Sequence, residues 1–225
     1  MEKANIKKPP KLTESEKQRI DKIIARLDEL YPETKPALNY DNPFQLLIAT
    51  MLAAQCTDVR VNKVTARLFK KYKSPEDFAI TAQEELEEDI RECGLFRTKS
   101  KNIIATSKEI VKKHDGFVPQ EFDQLVQLPG VGRKTANVVI ANAFDIPAFA
   151  VDTHVFRLAR RLGFSDKNDV FGVEQDLMQK IPEKQWIKAH HWLIFHGRQI
   201  CRARNPMCEK CSLKDLCQEY EKTNA

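Results

Sequence analysis

The chain has 225 residues, which is enough for one large domain or two modest ones. Hydrophobic residues make up 42% of it, and 37 Lys and Arg against 32 Asp and Glu give a net charge of +5. This mild excess is compatible with a polyanionic partner but does not establish one. The first ten residues lack the apolar segment of a secretory signal, and the apolar run 44–54 is too short to cross a bilayer. We therefore expect a soluble intracellular protein without a membrane span.

The periodicity of apolar residues is helical along nearly the whole chain, and no strand or hairpin pattern stands out. Thr13 and Glu16 form a capping-box pattern ahead of the first helix, and Pro43 lies in the first turn of a second, strongly apolar helix. Later helices are predicted at 98–113, 121–127, 133–144, 153–162, 173–180 and 184–200. The pattern is that of an all-α protein with about ten short helices.

The middle of the chain carries further helix signals. Ser74 is expected to begin a short helix, and Thr81 with Glu84 forms a second capping-box pattern, for a helix that ends at Gly94. The best domain break is at 146–147, because the proline there ends one helix before the next begins.

The segment 125–138 joins two predicted helices through a tight turn and reads Leu-Val-Gln-Leu-Pro-Gly-Val-Gly-Arg-Lys-Thr-Ala-Asn-Val. Its glycines permit positive φ and close approach of a phosphate, and the N–H groups of a helix N-terminus favour anions. A bare Gly-x-Gly would more simply be a tight corner. The longer pattern Leu-x-x-Leu-Pro-Gly-Val-Gly-x-x-Thr-Ala resembles the helix–hairpin–helix motif, which binds DNA phosphates without reading sequence. The resemblance assigns this contact to Gly130, Val131, Gly132 and Arg133.

Lys134 and Asp152 have more than one interpretation at this level. Lys134 follows the turn at once and could serve only as a second counter-charge for phosphate. Asp152 precedes a helical pattern and could be an N-cap. The apolar residues 148–151 before it indicate a partly dry setting.

The six cysteines are distributed unevenly. Cys56 and Cys93 stand alone, whereas four lie within seventeen residues near the C-terminus: Cys201, Cys208, Cys211 and Cys217. Disulfides are not expected in an intracellular protein, so this cluster indicates a metal site. Zinc sites usually have two closely spaced cysteine pairs, and the spacing here has only one. Iron–sulfur clusters also use four thiolates, so the ligand count alone leaves the metal open.

Three features together resemble the endonuclease III family of DNA glycosylases: Leu-Pro-Gly-Val-Gly-Arg-Lys-Thr-Ala, Val-Asp-Thr-His and the four C-terminal cysteines. The resemblance extends from about Leu46 to Cys217. It implies that Lys134 is the nucleophile, that Asp152 assists it, and that the cysteines hold a [4Fe–4S] cluster rather than zinc. Relatives that remove adenine lack this lysine, and relatives that act on 8-oxoguanine lack the cysteines.

The implied chemistry explains why a lysine and a carboxylate are needed. A neutral amine can attack the anomeric carbon of deoxyribose, expel the damaged base and form an imine with the opened sugar. Elimination of the neighbouring proton then breaks the strand on the 3′ side. Arg133 and a desolvating pocket are expected to favour the neutral amine of Lys134. Asp152 can take a proton or stabilise positive charge on the sugar.

A glycosylase must also extrude its target base and fill the gap left behind. The resemblance assigns these tasks to Gln55, in the pattern Leu-x-Ala-Gln-x-Thr-Asp, and to Leu95, which follows Gly94. From the residues alone, Gln55 would lie on a helix surface, and Leu95 could equally be a wedge or a packing contact at a helix end. Cys56 stands where the family has Ala, and we expect it to be a small buried filler.

Other polar residues receive more general assignments. His154 is expected to contact the pocket, and Arg202 and Arg204, in the loop before the second clustered cysteine, are expected to face phosphates. Three further histidines are expected to pack or to cap: His190, His191 and His196.

The resemblance implies an all-α fold of two helical lobes with the active site in the cleft between them. Residues 36–146 would form a central domain carrying the hairpin, and residues 1–35 with 147–225 would form the cluster domain. The expected function is that of a bifunctional glycosylase and abasic-site lyase that excises oxidised pyrimidines in base excision repair. Its expected partner is duplex DNA with damaged pyrimidines or abasic sites.

The protein is expected to act as a monomer in the bacterial cytoplasm, at the nucleoid, and not at a membrane. Two alternatives remain open. The same scaffold could act on another lesion, such as a pyrimidine dimer or a mismatched base, or the chain could be a DNA-binding module without activity.

Overall fold

The structure of the protein is a computed structural model that describes residues 12–33 and 36–224. These residues form twelve α-helices: α1 (Glu14–Leu30), α2 (Pro43–Leu52), α3 (Asp58–Lys71), α4 (Pro75–Ile80), α5 (Gln83–Asp89), α6 (Phe96–Lys113), α7 (Phe122–Leu125), α8 (Arg133–Ala143), α9 (Thr153–Arg161), α10 (Val170–Lys180), α11 (Trp186–Gln199) and α12 (Gln218–Asn224). Four short 3₁₀ helices lie at Arg91–Cys93, Glu183–Gln185, Cys208–Lys210 and Lys214–Leu216. No strand occurs in the described ranges, so the all-α prediction is confirmed.

Local start signals predicted several helices correctly. Thr13 and Glu16 form the expected capping box of α1. Ser74 caps α4, where Asp77 completes a second box. Helix α10 begins at Val170, three residues earlier than predicted, because the Asp169 side chain accepts a hydrogen bond from the Gly172 N–H and caps the helix there.

The predicted capping box of Thr81 and Glu84 is wrong. Thr81 ends α4 instead, and α5 begins after Ala82, for which the described residues show no side-chain cap. The Thr81 hydroxyl lies 3.3 Å from the Tyr72 hydroxyl and 3.4 Å from a Glu85 oxygen, so it is engaged elsewhere. The helix end predicted at Gly94 is also displaced: α5 ends at Asp89, and Gly94 instead terminates the 3₁₀ helix that follows.

Two apolar cores divide the described residues into two lobes. The first core is built from α2 to α8 and extends from Phe44 to Ala148. The second joins α1 to α9, α10 and α11 and includes Phe149 and Leu213. The chain therefore passes from one core to the other between residues 148 and 149, two residues beyond the predicted break.

The second lobe contains segments from both ends of the chain, because α1 packs against α11. No helix among residues 12–33 and 36–224 is long and apolar enough to cross a membrane.

Candidate active site

The hairpin turn between α7 and α8 is a rigid corner held against α6. Gly130 has φ +75°, and a Cβ on it would lie 2.7 Å from Asn102 Nδ2, so both backbone conformation and space require glycine. Gly132 has φ −91°, and a Cβ there would meet no atom of the described residues within 4 Å. The expectation that both glycines supply positive φ therefore holds only for Gly130. The open space beside Gly132 leaves its main chain accessible.

The N-terminus of α8 presents unpaired main-chain donors. The first helical hydrogen bond runs from the Ala136 N–H to the Gly132 carbonyl, 3.0 Å apart. The N–H groups of Arg133, Lys134 and Thr135 are left without intrahelical acceptors, and within the described part of the chain the N-cap position, Gly132, supplies no side-chain cap. Three donors at the positive end of a helix dipole suit an anion. Lys134 is exposed in the same turn, and its ammonium group has no hydrogen bond or ion pair to any described residue.

Arg133 joins the two lobes. Its Nε donates to both carboxylate oxygens of Glu174 on α10, at 3.0 and 2.9 Å, and its Nη2 donates to Glu174 Oε1. The guanidinium carbon also lies 4.8 Å from the ring centres of both Phe122 and Phe171. The Glu174 side chain is only 3% exposed. The carboxylate therefore offsets the positive charge that was expected to act on Lys134.

Asp152 caps α9, as its local sequence allowed. Its Oδ1 accepts hydrogen bonds from the N–H groups of His154 and Val155, both 2.8 Å away. Its Oδ2 makes no hydrogen bond to the described part of the chain. The residues before it, Phe149 to Val151, are buried, which confirms the partly dry setting. Capping thus fixes the carboxylate through one oxygen and leaves the other available for chemistry.

Two buried side chains that sequence reasoning did not assign to the site hold the segment that ends at Asp152. Asn137 lies one turn after Lys134 on α8, and its Nδ2 donates to the Phe149 carbonyl at 2.9 Å. His190 on α11 donates from Nδ1 to the Ala150 carbonyl at 2.7 Å. A polar residue within an apolar helix is the only sequence signal that could have indicated Asn137.

Both candidate catalytic residues affect the pKa of His190. Burial lowers the pKa of its ring; the Asp152 carboxylate opposes this shift, while the Lys134 ammonium adds to it. The electrostatic effects of Lys134 and Asp152 therefore meet at one buried imidazole on α11. As expected from the sequence, His190, His191 and His196 are all buried.

Gln55 and Leu95 lie in turns rather than on helix surfaces. Gln55 is exposed in the turn after α2 with φ +54°, so its local interpretation as a helix-surface residue is wrong. Leu95 precedes α6 with φ +48°, and 56% of it is exposed. This exposure favours a wedge over an ordinary packing contact. Cys56, expected to be buried, is half-buried against the first core, and Cys93 is buried.

The four C-terminal cysteines surround one cavity of about 160 Å³, beside α9 and α11. Burial raises the pKa of the Cys211 thiol, and Cys201, Cys217 and Cys208 add to that shift, so the thiols share one environment. Among the described residues, no three Cys, His, Asp or Glu side chains form a group able to hold a single metal ion. The four cysteines therefore line one shared space.

Two arginines of α9 donate hydrogen bonds to the loop that begins at Cys201. Arg157 donates to the carbonyls of Gly197 and Cys201, both 2.9 Å away. Arg161 donates to the carbonyl of Arg202 at 2.8 Å and to Cys201 Sγ at 3.4 Å. Sequence reasoning missed both arginines, because basic residues on an amphipathic helix usually indicate only a solvated face. Arg202 and Arg204 themselves are exposed.

His154 lies beside this anchored loop. Its Nδ1 is 3.2 Å from Arg157 Nη2. The side chain is half-buried and lies against Arg157, which in turn donates to the Cys201 carbonyl.

Comparisons with known proteins agree with this geometry. The family described as HhH-GPD superfamily base excision DNA repair protein matches residues 48–183. Endonuclease III of Bacillus subtilis (strain 168) is 48% identical over 206 residues, which cover 91% of this chain and 94% of the relative. The chain belongs to the endonuclease III family. Endonuclease III of Escherichia coli (strain K12) is 44% identical over 202 residues, covering 90% of this chain and 96% of the relative.

Solved structures of related proteins have the same overall fold as this chain. A trapped endonuclease III–DNA covalent intermediate, an estranged-adenine complex, superposes with a TM-score of 0.88 at 48% identity, covering 95% of this chain and 99% of that one. A thermostable thymine-DNA glycosylase gives a TM-score of 0.83 at 25% identity, covering 91% and 98%. This endonuclease III family member is a base excision repair DNA glycosylase and abasic-site lyase with the two-lobed helix–hairpin–helix fold.

Proposed function

We propose that this endonuclease III family member excises oxidised pyrimidines from duplex DNA, with Lys134 as nucleophile and Asp152 as its assisting carboxylate. The observation that carries the proposal is the position of Lys134: an exposed amine with no ion-pair partner in residues 12–33 and 36–224, in the first turn of a helix whose first N–H groups have no intrahelical acceptor. A strand held there by its phosphate would bring a sugar to the amine. Asn137 ties the same helix to the segment that ends at Asp152.

The proposed reaction uses one amine twice. The Lys134 nitrogen attacks C1′ of the nucleotide while the bond to the base breaks, and the base leaves with the bonding electrons and takes up a proton. Asp152 Oδ2 accepts the proton that the amine loses or stabilises the positive charge on the sugar. Opening of the sugar gives an imine, loss of the C2′ proton expels the 3′ phosphate, and water releases the lysine.

The DNA contacts follow from exposed donors near the cleft. Gly132 and the N–H groups after it would receive a backbone phosphate, and Gly130 would hold the turn that presents them. Val131 is buried, so its side chain would support the turn and leave contact with DNA to the main chain. Because the Arg133 guanidinium is engaged by Glu174, its contribution would come from its N–H group.

Opening of the duplex is assigned to the two exposed turns. Gln55 and Leu95 would fill the space left by the extruded nucleotide, since one is polar, the other apolar, and both protrude. His154 would line the pocket near Asp152. Arg202 and Arg204 would contact phosphates from the loop that Arg161 holds.

We propose a [4Fe–4S] cluster for the four cysteines. The four thiols line one cavity of about 160 Å³, and four thiolates are the ligand set of a [4Fe–4S] cluster, whereas zinc sites usually have two closely spaced cysteine pairs and this chain has only one. When bound, the cluster would supply four covalent links that hold the C-terminal segment in place. Purified protein should be brown, with iron and acid-labile sulfide in equal amounts; a colourless protein containing one zinc would refute the assignment.

The proposal also includes the bounds of the two domains, the oligomeric state and the cellular location. Their bounds would be 36–146 for the central domain and 1–35 with 147–225 for the cluster domain; residues 1–11, 34–35 and 225 lie outside the described ranges. The protein would act as a monomer in the cytoplasm, where its bacterial relatives' substrate, DNA, is found. A dimer in sedimentation velocity would refute the monomer.

A lesion panel tests the function. Duplexes carrying thymine glycol, a pyrimidine dimer or a plain abasic site are incubated with the protein, and borohydride traps the imine. We expect excision of thymine glycol, cleavage of the abasic site and trapping that Lys134→Gln abolishes. Lys112→Gln, which removes an exposed lysine from the far end of α6, is the matched control.

Each alternative has its own result in this panel. Preference for the dimer would indicate another lesion, and failure to cleave any duplex would indicate a binding module. Trapping that persists in Lys134→Gln would refute the assignment of the nucleophile.

A further inference from the structure

Lys99 is a buried lysine with an unusual set of partners. It lies at the end of the first turn of α6, is 6% exposed, and has no carboxylate partner within the described residues. Its Nζ donates to two main-chain carbonyls, those of Leu52 at 2.9 Å and Cys93 at 2.8 Å. Because burying an ammonium group costs desolvation free energy, these two hydrogen bonds are needed to offset that cost. Burial lowers the pKa of Lys99, and the nearby thiols of Cys93 and Cys56 oppose the shift.

The two carbonyls belong to the residues from which the two exposed turns begin. Leu52 is the last residue of α2 and precedes Gln55 by three positions. Cys93 ends the 3₁₀ helix and precedes Leu95 by two. The Leu52 carbonyl is one of the groups that a helix end leaves without an intrahelical donor. One ammonium group thus bonds to the starting points of two loops that are 47 and 6 residues away along the chain.

Both loops hold their tips in left-handed backbone conformations. Gln55 has φ +54°, Leu95 has φ +48°, and Gly94 between the anchor and Leu95 has φ +66°. For residues other than glycine this region is uncommon and is maintained only when the surrounding structure enforces it. A link at the base of both loops would help to provide that enforcement.

We propose that Lys99 is a positioning residue that fixes the spacing between the loops of Gln55 and Leu95 and so sets how efficiently the protein opens the duplex. The inference rests on the proposed function of those two residues. Lys99 is buried and does not touch DNA. Its effect is transmitted through the Leu52 and Cys93 carbonyls, and it concerns base extrusion rather than the reaction at Lys134.

The test separates duplex opening from chemistry. Lys99→Met keeps the length and removes both donors, whereas Lys99→Arg keeps donors and charge. Lys112→Met is the control on the same helix. The substrates are duplex DNA with thymine glycol and a single-stranded abasic site, which has no opposing base to separate. A 2-aminopurine placed opposite an abasic site in a duplex reports unstacking by its fluorescence.

We expect Lys99→Met to slow excision from the duplex by about 10- to 100-fold, as small misplacements of positioning groups do. Its 2-aminopurine signal should weaken, single-stranded cleavage should stay close to that of the wild type, and Lys99→Arg should recover most of the duplex rate. Equal losses on both substrates would mean a general structural role and would overturn the proposal. So would an unchanged duplex rate and signal.

If Lys99→Met does not fold, Lys99→Gln takes its place, because its shorter amide cannot reach both carbonyls. It should show the same selective loss on duplex DNA, and an equal or absent loss would again overturn the proposal. Failure of the proposed function would appear in the wild type itself, as no excision of thymine glycol, whatever the Lys99 variants do.

Discussion

Replacing Arg133 by Ala separates two roles that its sequence context cannot distinguish. A DNA ligand would lose affinity, whereas a link between lobes would lose stability. Glu174 is 3% exposed and Arg133 is 41% exposed, so the substitution leaves a buried carboxylate without its partner. Breaking a buried ion pair costs about 3–5 kcal/mol, and the exposed part of the guanidinium places the expected value near the lower limit, about 3 kcal/mol.

The two aromatic contacts add to this value. Phe122 and Phe171 lie 4.8 Å from the guanidinium carbon, and each exposed contact of this kind contributes about 0.5–1 kcal/mol. For a chain of this size the combined loss of about 4–5 kcal/mol lowers Tm by about 8–20 °C. The matched control is Arg67→Ala, whose partner Glu92 is also exposed; it should cost no more than about 1 kcal/mol.

The assay is a double-mutant cycle in urea unfolding, with Arg133→Ala, Glu174→Gln and the pair. We expect the double variant to lose less than the sum of the single variants, by about 2 kcal/mol. DNA affinity is measured in parallel as a function of salt. A side chain bound to phosphate would reduce the salt slope by about one unit when removed. Unchanged stability together with a reduced slope would refute the assignment of Arg133 as a link between lobes.

Three further predictions concern single positions. Gly130→Ala should lower the free energy of unfolding by at least about 1–2 kcal/mol, because alanine is strained at the positive φ of this position. Asn102 also blocks the new methyl group, which adds to the loss. Gly132→Ala should leave urea stability within about 0.5 kcal/mol but weaken DNA binding, and equal binding would argue against a phosphate there. Burial lowers the pKa of His191 from 6.5 to about 3, so the unfolded chain binds more protons between these values. The free energy of unfolding should therefore fall as pH drops from about 6.5 towards 3, by up to about 1.4 kcal/mol per unit; His191→Gln should flatten this slope, and identical slopes would contradict the prediction.

Features that depend on neighbouring residues were predictable from the sequence. The capping boxes of α1 and α4, the hairpin turn and the cap at Asp152 all arise within a few residues, where hydrogen-bond geometry is set by local spacing. Thr81 shows the limit of this rule. Its spacing to Glu84 satisfies the capping pattern, but the hydroxyl of Tyr72 and the carboxylate of Glu85 compete for it.

Features that depend on distant residues were not predictable. Glu174 meets Arg133 from 41 positions away, and the Leu52 carbonyl meets Lys99 from 47. In both cases the residue type is uninformative, because an isolated Arg or Lys is most often a solvated charge. Only folding shows which charge is buried and against what.

The basic pair at the start of α8 illustrates how adjacent residues acquire different functions. Successive side chains on an α-helix project about 100° apart, so Arg133 can face Glu174 while Lys134 faces away from it. The guanidinium suits the first position, because its planar fork bonds both carboxylate oxygens and stacks between two rings, which an ammonium group cannot do. The amine suits the second, because it can lose its proton and attack carbon, which a guanidinium does not. Exchanging the two residues would therefore keep the net charge of the turn and impair both functions, so that Arg133→Lys combined with Lys134→Arg should unfold at lower urea concentration than the wild type and should give no imine trapping.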